Sequence, residues 1–155
     1  VFIVHGRDHK PMEELKTMLT MFGLNPIVLH EQPRGGMTIV EKLDKYSDVG
    51  YAFVILTPDD VGYESDLLLS ARALRVHAKP RARQNVILAF GYFMGLLGRD
   101  KVCCLYKGNI ELPSDMNGIV YIAFKESVTE VKGKIIEELK AAGYENLYPP
   151  SIPKP

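Results

Sequence analysis

The sequence predicts an α/β fold with a mostly parallel sheet between two layers of helices. Three observations carry that prediction. Short apolar runs alternate with amphipathic segments in the order strand, helix, strand, helix. The run Tyr51-Ala-Phe-Val-Ile-Leu56 is apolar throughout, as a central strand covered on both faces must be. The connections are short, which suits right-handed crossovers between parallel neighbours.

Each element has its own signal. Val1-Phe-Ile-Val4 is the first strand, and His5-Gly-Arg-Asp8 is the loop at its carboxyl end. Pro11 suits a first helical turn; Met12, Leu15, Met18, Leu19 and Phe22 follow at helical spacing, and Gly23 ends the helix. Pro26-Ile-Val-Leu29 is the second strand, and Gln32-Pro-Arg-Gly-Gly-Met37 is a loop. Thr38 with Glu41 three residues on has the pattern of a capping box, ahead of a helix whose apolar face is Val40, Leu43 and Tyr46. After the third strand comes Thr57-Pro-Asp-Asp60; within 61–79, a helix over 67–76 and a flap are both compatible with the residues.

Pro80 to Gly95 reads as a packed helix with a polar, cationic start. Helical spacing puts Arg81, Asn85, Ala89 and Tyr92 on one face and Val86, Phe90, Phe93 and Leu97 on a buried one. Lys101–Tyr106 and Ile119–Ala123 are the fourth and fifth strands, and Val128, Val131, Ile135 and Leu139 mark a last helix stopped by Gly143. Five strands of this kind point to a flavodoxin-like three-layer sandwich with strand order 2-1-3-4-5. Ligands on such sheets lie at the carboxyl edge where strand order reverses, which brings together His5–Asp8, Thr57–Asp60 and the start of the Pro80–Gly95 helix.

Composition narrows the possibilities. At 155 residues the chain fits one domain, and 46% hydrophobic content allows a sizeable core. Lys plus Arg number 19, as do Asp plus Glu, so no net positive charge favours direct nucleic-acid binding. There is no signal peptide and no long apolar run, so neither secretion nor a membrane span is expected, and a cytoplasmic location is. Cys103 and Cys104 are adjacent on a strand and should point to opposite faces as reduced, buried thiols. His5, His9, His30 and His77 show no metal-ligand spacing; His5 and His9 could approach each other on either side of a turn, but two ligands do not make a zinc site, so no metal is expected. No complete dinucleotide fingerprint or Walker sequence occurs. The sequence starts inside a strand, and residues 146–155 read as a Pro-rich tail or linker to a missing domain, after a domain spanning 1–145.

Several residues have binding chemistry of their own. Gly6 permits close backbone approach, and Arg7 offers a guanidinium to a phosphate. Asp8 suits the cap of the first helix. Arg34-Gly-Gly36 has the composition of an anion-binding loop, although an ordinary turn has it too. Arg81, Arg83, Gln84 and Asn85 are a cationic and amide-rich helix start.

The run Arg81-Ala-Arg-Gln-Asn-Val-Ile-Leu-Ala-Phe-Gly-Tyr-Phe93 resembles the signature helix of the prokaryotic TIR-like domains (Toll/interleukin-1 receptor-like, nucleotide-binding). Val1–Asp8, Leu29–Thr38, Tyr46–Gly50, Leu56–Asp60 and Cys104–Gly108 resemble the same family in the same order, across residues 1–145. The resemblance implies a TIR fold and an enzyme that cleaves NAD+ to nicotinamide and ADP-ribose or a cyclic form, with NAD+ as substrate and no cofactor. It implies nucleotide contacts from Gly6, Arg7, Asp8, Arg34, Thr57, Arg81, Gln84 and Asn85. It also implies activation by self-association that includes the 32–37 loop, and a fused sensor domain in an antiphage defence protein. In the family the helix carries a catalytic Glu where this chain has Ala89. The motif is intact around that one gap, which favours an engineered Glu→Ala change over a natural pseudoenzyme. Two other readings stand beside the enzyme: a non-catalytic TIR-like scaffold, and a phospho-receiver, for which Asp8, Asp59 and Asp60 are available but Arg7 and Thr57-Pro58 are out of pattern.

Overall fold

A computed structural model of the chain describes residues 1–33, 35–63, 76–114 and 118–147. The elements are β1 (Phe2–Val4), α1 (Lys10–Met21), β2 (Ile27–Val28), α2 (Ile39–Tyr46), β3 (Ala52–Leu56), β4 (Asp60–Gly62), β5 (Lys79–Arg81), α3 (Gln84–Leu97), β6 (Val102–Lys107), β7 (Val120–Phe124) and α4 (Lys132–Ala141). The main sheet has five strands in the order β2-β1-β3-β6-β7. All four of its pairings are parallel. This is the predicted 2-1-3-4-5 order, with β3 central and every one of its residues buried.

Strand alternation divides the core into two layers. Ile3, Phe53, Ile55, Cys103 and Leu105 face α1 and α4, with Leu15, Leu19, Ile135 and Leu139 packed against them. Phe2, Val4, Ala52, Val54, Leu56 and Cys104 face the other way, against Leu43 of α2 and Val86, Phe90 and Phe93 of α3. Each fully buried Phe, Leu or Ile contributes roughly 1.5–3 kcal/mol of transfer free energy before entropy is counted. Cys103 and Cys104 lie in opposite layers as free, buried thiols, and burial pushes both well above the ordinary thiol range. The core reaches Leu147, which is buried against the α1 and α4 layer.

Local chemistry sets the helix starts. Pro lies in the first turn of α1. At α2 the capping box is formed: Glu41 N–H donates to Thr38 Oγ1 at 3.3 Å and Thr38 N–H donates to Glu41 Oε2 at 2.7 Å. Those hydrogen bonds hold the Glu41 carboxyl below its usual range.

The helix expected from Pro80 begins instead at Gln84, with Arg83 as its N-cap. Residues 79–81 are a strand: β5 pairs antiparallel with β4, Arg81 opposite Asp60 and Val61 opposite Pro80. Sequence periodicity carried the helix one turn too far because a paired strand satisfies this segment's backbone and a proline at its centre costs an edge strand little. Arg81 therefore does not share a helical face with Asn85 and Ala89. Most of the helix or flap expected within 61–79 lies outside the described residues. Among the described residues no helix is long and apolar enough to cross a membrane.

Candidate functional site

The carboxyl end of β1 opens into a cleft of about 750 Å³, a volume suited to a drug-sized or nucleotide-sized ligand. Its walls come from the end of β1 (His5, Gly6), from His9, from the turn after β2 (Leu29, His30), from α2 and the residues before it (Met37–Val40, Lys42, Leu43), and from the start of α3 (Arg83, Asn85, Val86, Leu88, Ala89). This is the switch point of the sheet, where β2 lies to one side of β1 and β3 to the other.

Among the described lining residues there are two permanent cations, Lys42 and Arg83, and three histidines, but no carboxylate. Such a lining favours an anionic ligand. Lys42 is only 7% exposed; its ammonium donates to the carbonyls of Leu29 at 2.8 Å and Gln32 at 2.7 Å. It ties the turn after β2 to α2. Ala89 sits on the cleft wall at 6% exposure, one turn after the exposed Asn85.

The loop after β1 is fastened to the loop after β3. Asp59 accepts hydrogen bonds from Thr57 Oγ1 at 2.9 Å and from the Arg7 backbone N–H at 3.1 Å. The Arg7 guanidinium lies 3.6 Å from Asp60. Gly6 packs so tightly on this network that any Cβ there would collide with Asp59. Thr57, 1% exposed, thus uses its hydroxyl on Asp59.

The expected site residues fall into three groups. Gly6, Asn85 and Ala89 line the cleft. Arg7 and Thr57 brace the loop behind Gly6, while Asp8 accepts from the Lys10 N–H at 3.2 Å and the Lys107 ammonium at 3.1 Å, tying the start of α1 to β6. Arg81 and Gln84 lie apart, in a second depression with Asp60, Val61 and Glu111. There the Arg81 guanidinium donates from Nε to Glu111, which holds the Glu111 carboxyl below its usual range. Arg34 lies outside the described residues. Tyr92 links two helices, its hydroxyl 3.2 Å from Ser47 Oγ on the capping residue after α2.

Sequence reasoning allowed His5 and His9 to meet across a turn but missed His30 as their third member. His5, His9 and His30 form a cluster with ring centroids 4.9–5.1 Å apart. His5 Nε2 and His30 Nδ1 are 2.9 Å apart. A signal for the pair was present: parallel pairing of Ile3 with Val28 sets the two strand ends side by side, and the short 3-10 turn Leu29–Glu31 after β2 carries His30 to His5. Spacing along the chain, the usual metal criterion, does not reveal such a pairing.

A parallel five-stranded sheet in this order, with a ligand-sized cleft at its switch point, defines a flavodoxin-like class of α/β domain. Residues 1–126 match the family described as "CAP12/Pycsar effector protein, TIR domain". The chain belongs to this family of TIR domains. It is 42% identical over 144 residues to an Escherichia coli protein named uncharacterized protein YuaY, covering 92% of this chain and 45% of that one. It is 36% identical to protein tirC of Dictyostelium discoideum, covering 87% of this chain and 69% of that one. It is 28% identical to the Pycsar effector protein XpPycTIR of Xanthomonas perforans, covering 88% of this chain and 42% of that one. The chain therefore spans less than half the length of the bacterial relatives named here.

Proposed function

We propose that the cleft binds NAD+ and that the reaction of this site is hydrolysis of the nicotinamide–ribose bond, with position 89 as the place of the reaction's carboxylate. The observation that carries the reading is Ala89: a nearly buried methyl group on the wall of a ligand-sized cleft, beside Asn85 and Arg83, among described lining residues that contain no Asp or Glu. Water's oxygen bonds to the anomeric carbon and loses a proton to solvent, the carbon–nitrogen bond breaks, and nicotinamide leaves with the bonding pair, which neutralises its pyridinium charge. The leaving group needs little acid catalysis. The developing positive charge on the ribose needs a nearby carboxylate, which a Glu at position 89 would supply from a rigid helix.

On this reading the chain as it stands binds NAD+ and scarcely cleaves it. Lys42, Arg83 and the histidines favour the diphosphate, and Asn85 offers its amide to ribose hydroxyls. The matched TIR effector family supports a role in antiphage defence, with a sensor elsewhere in the protein or its partner; activation by self-association through surfaces that include the 32–37 loop belongs to the same reading. The test is nicotinamide release by Ala89→Glu protein under conditions that favour assembly, with the fold checked by its thermal midpoint. Release well above the parent chain supports the reading. A folded, assembled Ala89→Glu protein that releases none leaves the second reading, a TIR scaffold that assembles without cleaving, which the methyl group at 89 favours.

A further inference from the structure

The histidine cluster has a definite proton arrangement. His5 Nδ1 lies 2.8 Å from the Gly6 carbonyl oxygen, which only accepts, so Nδ1 carries a proton and donates. A neutral His5 then has its lone pair at Nε2, and His30 must donate to it from Nδ1 across 2.9 Å. Among the described residues, the one nitrogen of the His5–His30 pair without a hydrogen-bond partner is His30 Nε2. The chain of donors therefore runs from His30 through His5 to the Gly6 carbonyl, and a proton arriving at His30 Nε2 strengthens every donor in it. His9 stacks on both rings, edge-on to His5 and tilted 31° to His30.

We propose that His5, His9 and His30 form a phosphate-anion subsite at the mouth of the cleft, which takes up about one proton as it binds the diphosphate of a nucleotide. The ligand's identity rests on the nucleotide reading above; the subsite rests on the cluster itself. All three rings line the cleft with Lys42 and Arg83, and an anion there meets no carboxylate among the described lining residues. Burial holds free His5 below the usual imidazole range, and the neighbouring imidazoles add to that against the opposing bond to the Gly6 carbonyl, so His5 favours its neutral form in the empty cleft. A bound dianion reverses the balance.

The other charged groups around the cluster have their own partners or act in a known direction. On the β1 loop, Arg7 pairs with Asp60, and Asp8 with Lys107 of β6. Asp59, beyond β3, favours the charged form of His5. On α1, Lys10 pairs with Glu14. After β2, Glu31 pairs with Lys16, while Lys42 of α2 is bonded to carbonyls. Arg83 caps α3.

The test is titration calorimetry with ADP-ribose and, separately, inorganic sulfate, neither of which titrates between about pH 6 and about pH 8. Each is run in two buffers of different ionisation enthalpy, so that protons taken up by the protein are counted directly. The expected result is uptake approaching about one proton and ADP-ribose affinity about tenfold tighter at about pH 6 than at about pH 8. His30→Asn keeps a donor toward His5 but cannot be protonated, and should abolish both the uptake and the pH dependence at an unchanged thermal midpoint. If that variant does not fold, His9→Asn and the two-buffer count on the parent chain decide. ADP-ribose binding without proton uptake overturns the subsite and leaves the nucleotide reading standing. Sulfate binding with uptake, but no ADP-ribose binding, supports the subsite and removes the nucleotide reading. Binding of neither overturns both.

Discussion

A Cβ built on Gly6 would lie 1.7 Å from Asp59 Oδ2, so the backbone after β1 and the carboxylate after β3 occupy adjoining space with no room for a methyl group. The Gly6→Ala change must push Asp59 away and break its bonds from Thr57 Oγ1 and the Arg7 N–H. The expected cost is about 1–3 kcal/mol, read as a shift in denaturant midpoint, together with weaker ADP-ribose binding. Adding Asp59→Ala should recover part of the loss, because the two changes share one contact.

Arg81 gives the opposite expectation. Its guanidinium is held by Glu111 beside the β4–β5 pair, outside the main cleft. Arg81→Met should loosen the pair and leave ADP-ribose affinity within about twofold, where loss of a ligand-contacting charge would cost far more. Glu111 carries a pH signature. Its carboxyl sits below the usual range because Arg81 bonds it, so its contribution is complete above the unfolded pKa of about 4.3 and is lost as pH falls through the folded value. Thermal midpoints between about pH 5 and about pH 3 should fall less steeply in Glu111→Gln than in the parent chain.

His5 works in a higher window. Burial lowers its pKa in the folded state, so the unfolded chain binds more protons on acidification. Stability is therefore complete above the unfolded value of about 6.5 and falls as pH drops below it. In the absence of ligand, His5→Asn retains a donor toward the Gly6 carbonyl and should flatten the thermal midpoint between about pH 7 and about pH 5.

The cap of α2 is testable by stability alone. Thr38→Ala removes the Oγ1 that accepts from the Glu41 N–H, leaves the backbone N–H that donates to Glu41, and should cost about 1 kcal/mol. Glu41→Gln, which can still accept from the Thr38 N–H, should cost less; equal losses in chemical denaturation would mean that the box contributes nothing.

The native thiols should resist alkylation until the chain unfolds. Both are fully buried, and burial disfavours their thiolates. Modification of either at a rate above that of global opening would contradict their placement in the two core layers.

Much of this architecture was legible in the residues. The unbroken apolar run at 51–56 gave the central strand, and Thr38 with Glu41 gave a helix start that the structure forms. Cys103 and Cys104 fall on opposite faces as strand alternation requires. What was not legible depends on contacts distant in sequence. Arg81 lies on a strand because β4 and Glu111 meet it, and helical periodicity contains no trace of either partner. Asp59 was visible only as one acid of a possible phospho-receiver set, because its bracing of Gly6 and Arg7 acts across 52 residues of chain. The histidines came together through register between β1 and β2, which fold order supplies and spacing does not.

The two ends of the main sheet differ in a way that bears on the joining of copies of this domain. At one margin β2 is two residues long, and at the other β7 runs for five, with no strand paired to its outer side among the described residues. A two-residue margin exposes too few backbone groups to recruit another chain. Backbone-mediated growth of the sheet therefore has a single usable margin. Two copies meeting there would be related by a twofold axis and would exhaust each other's margin, so joining of that kind ends at a closed pair. A longer array would have to be built from side chains on the helical faces.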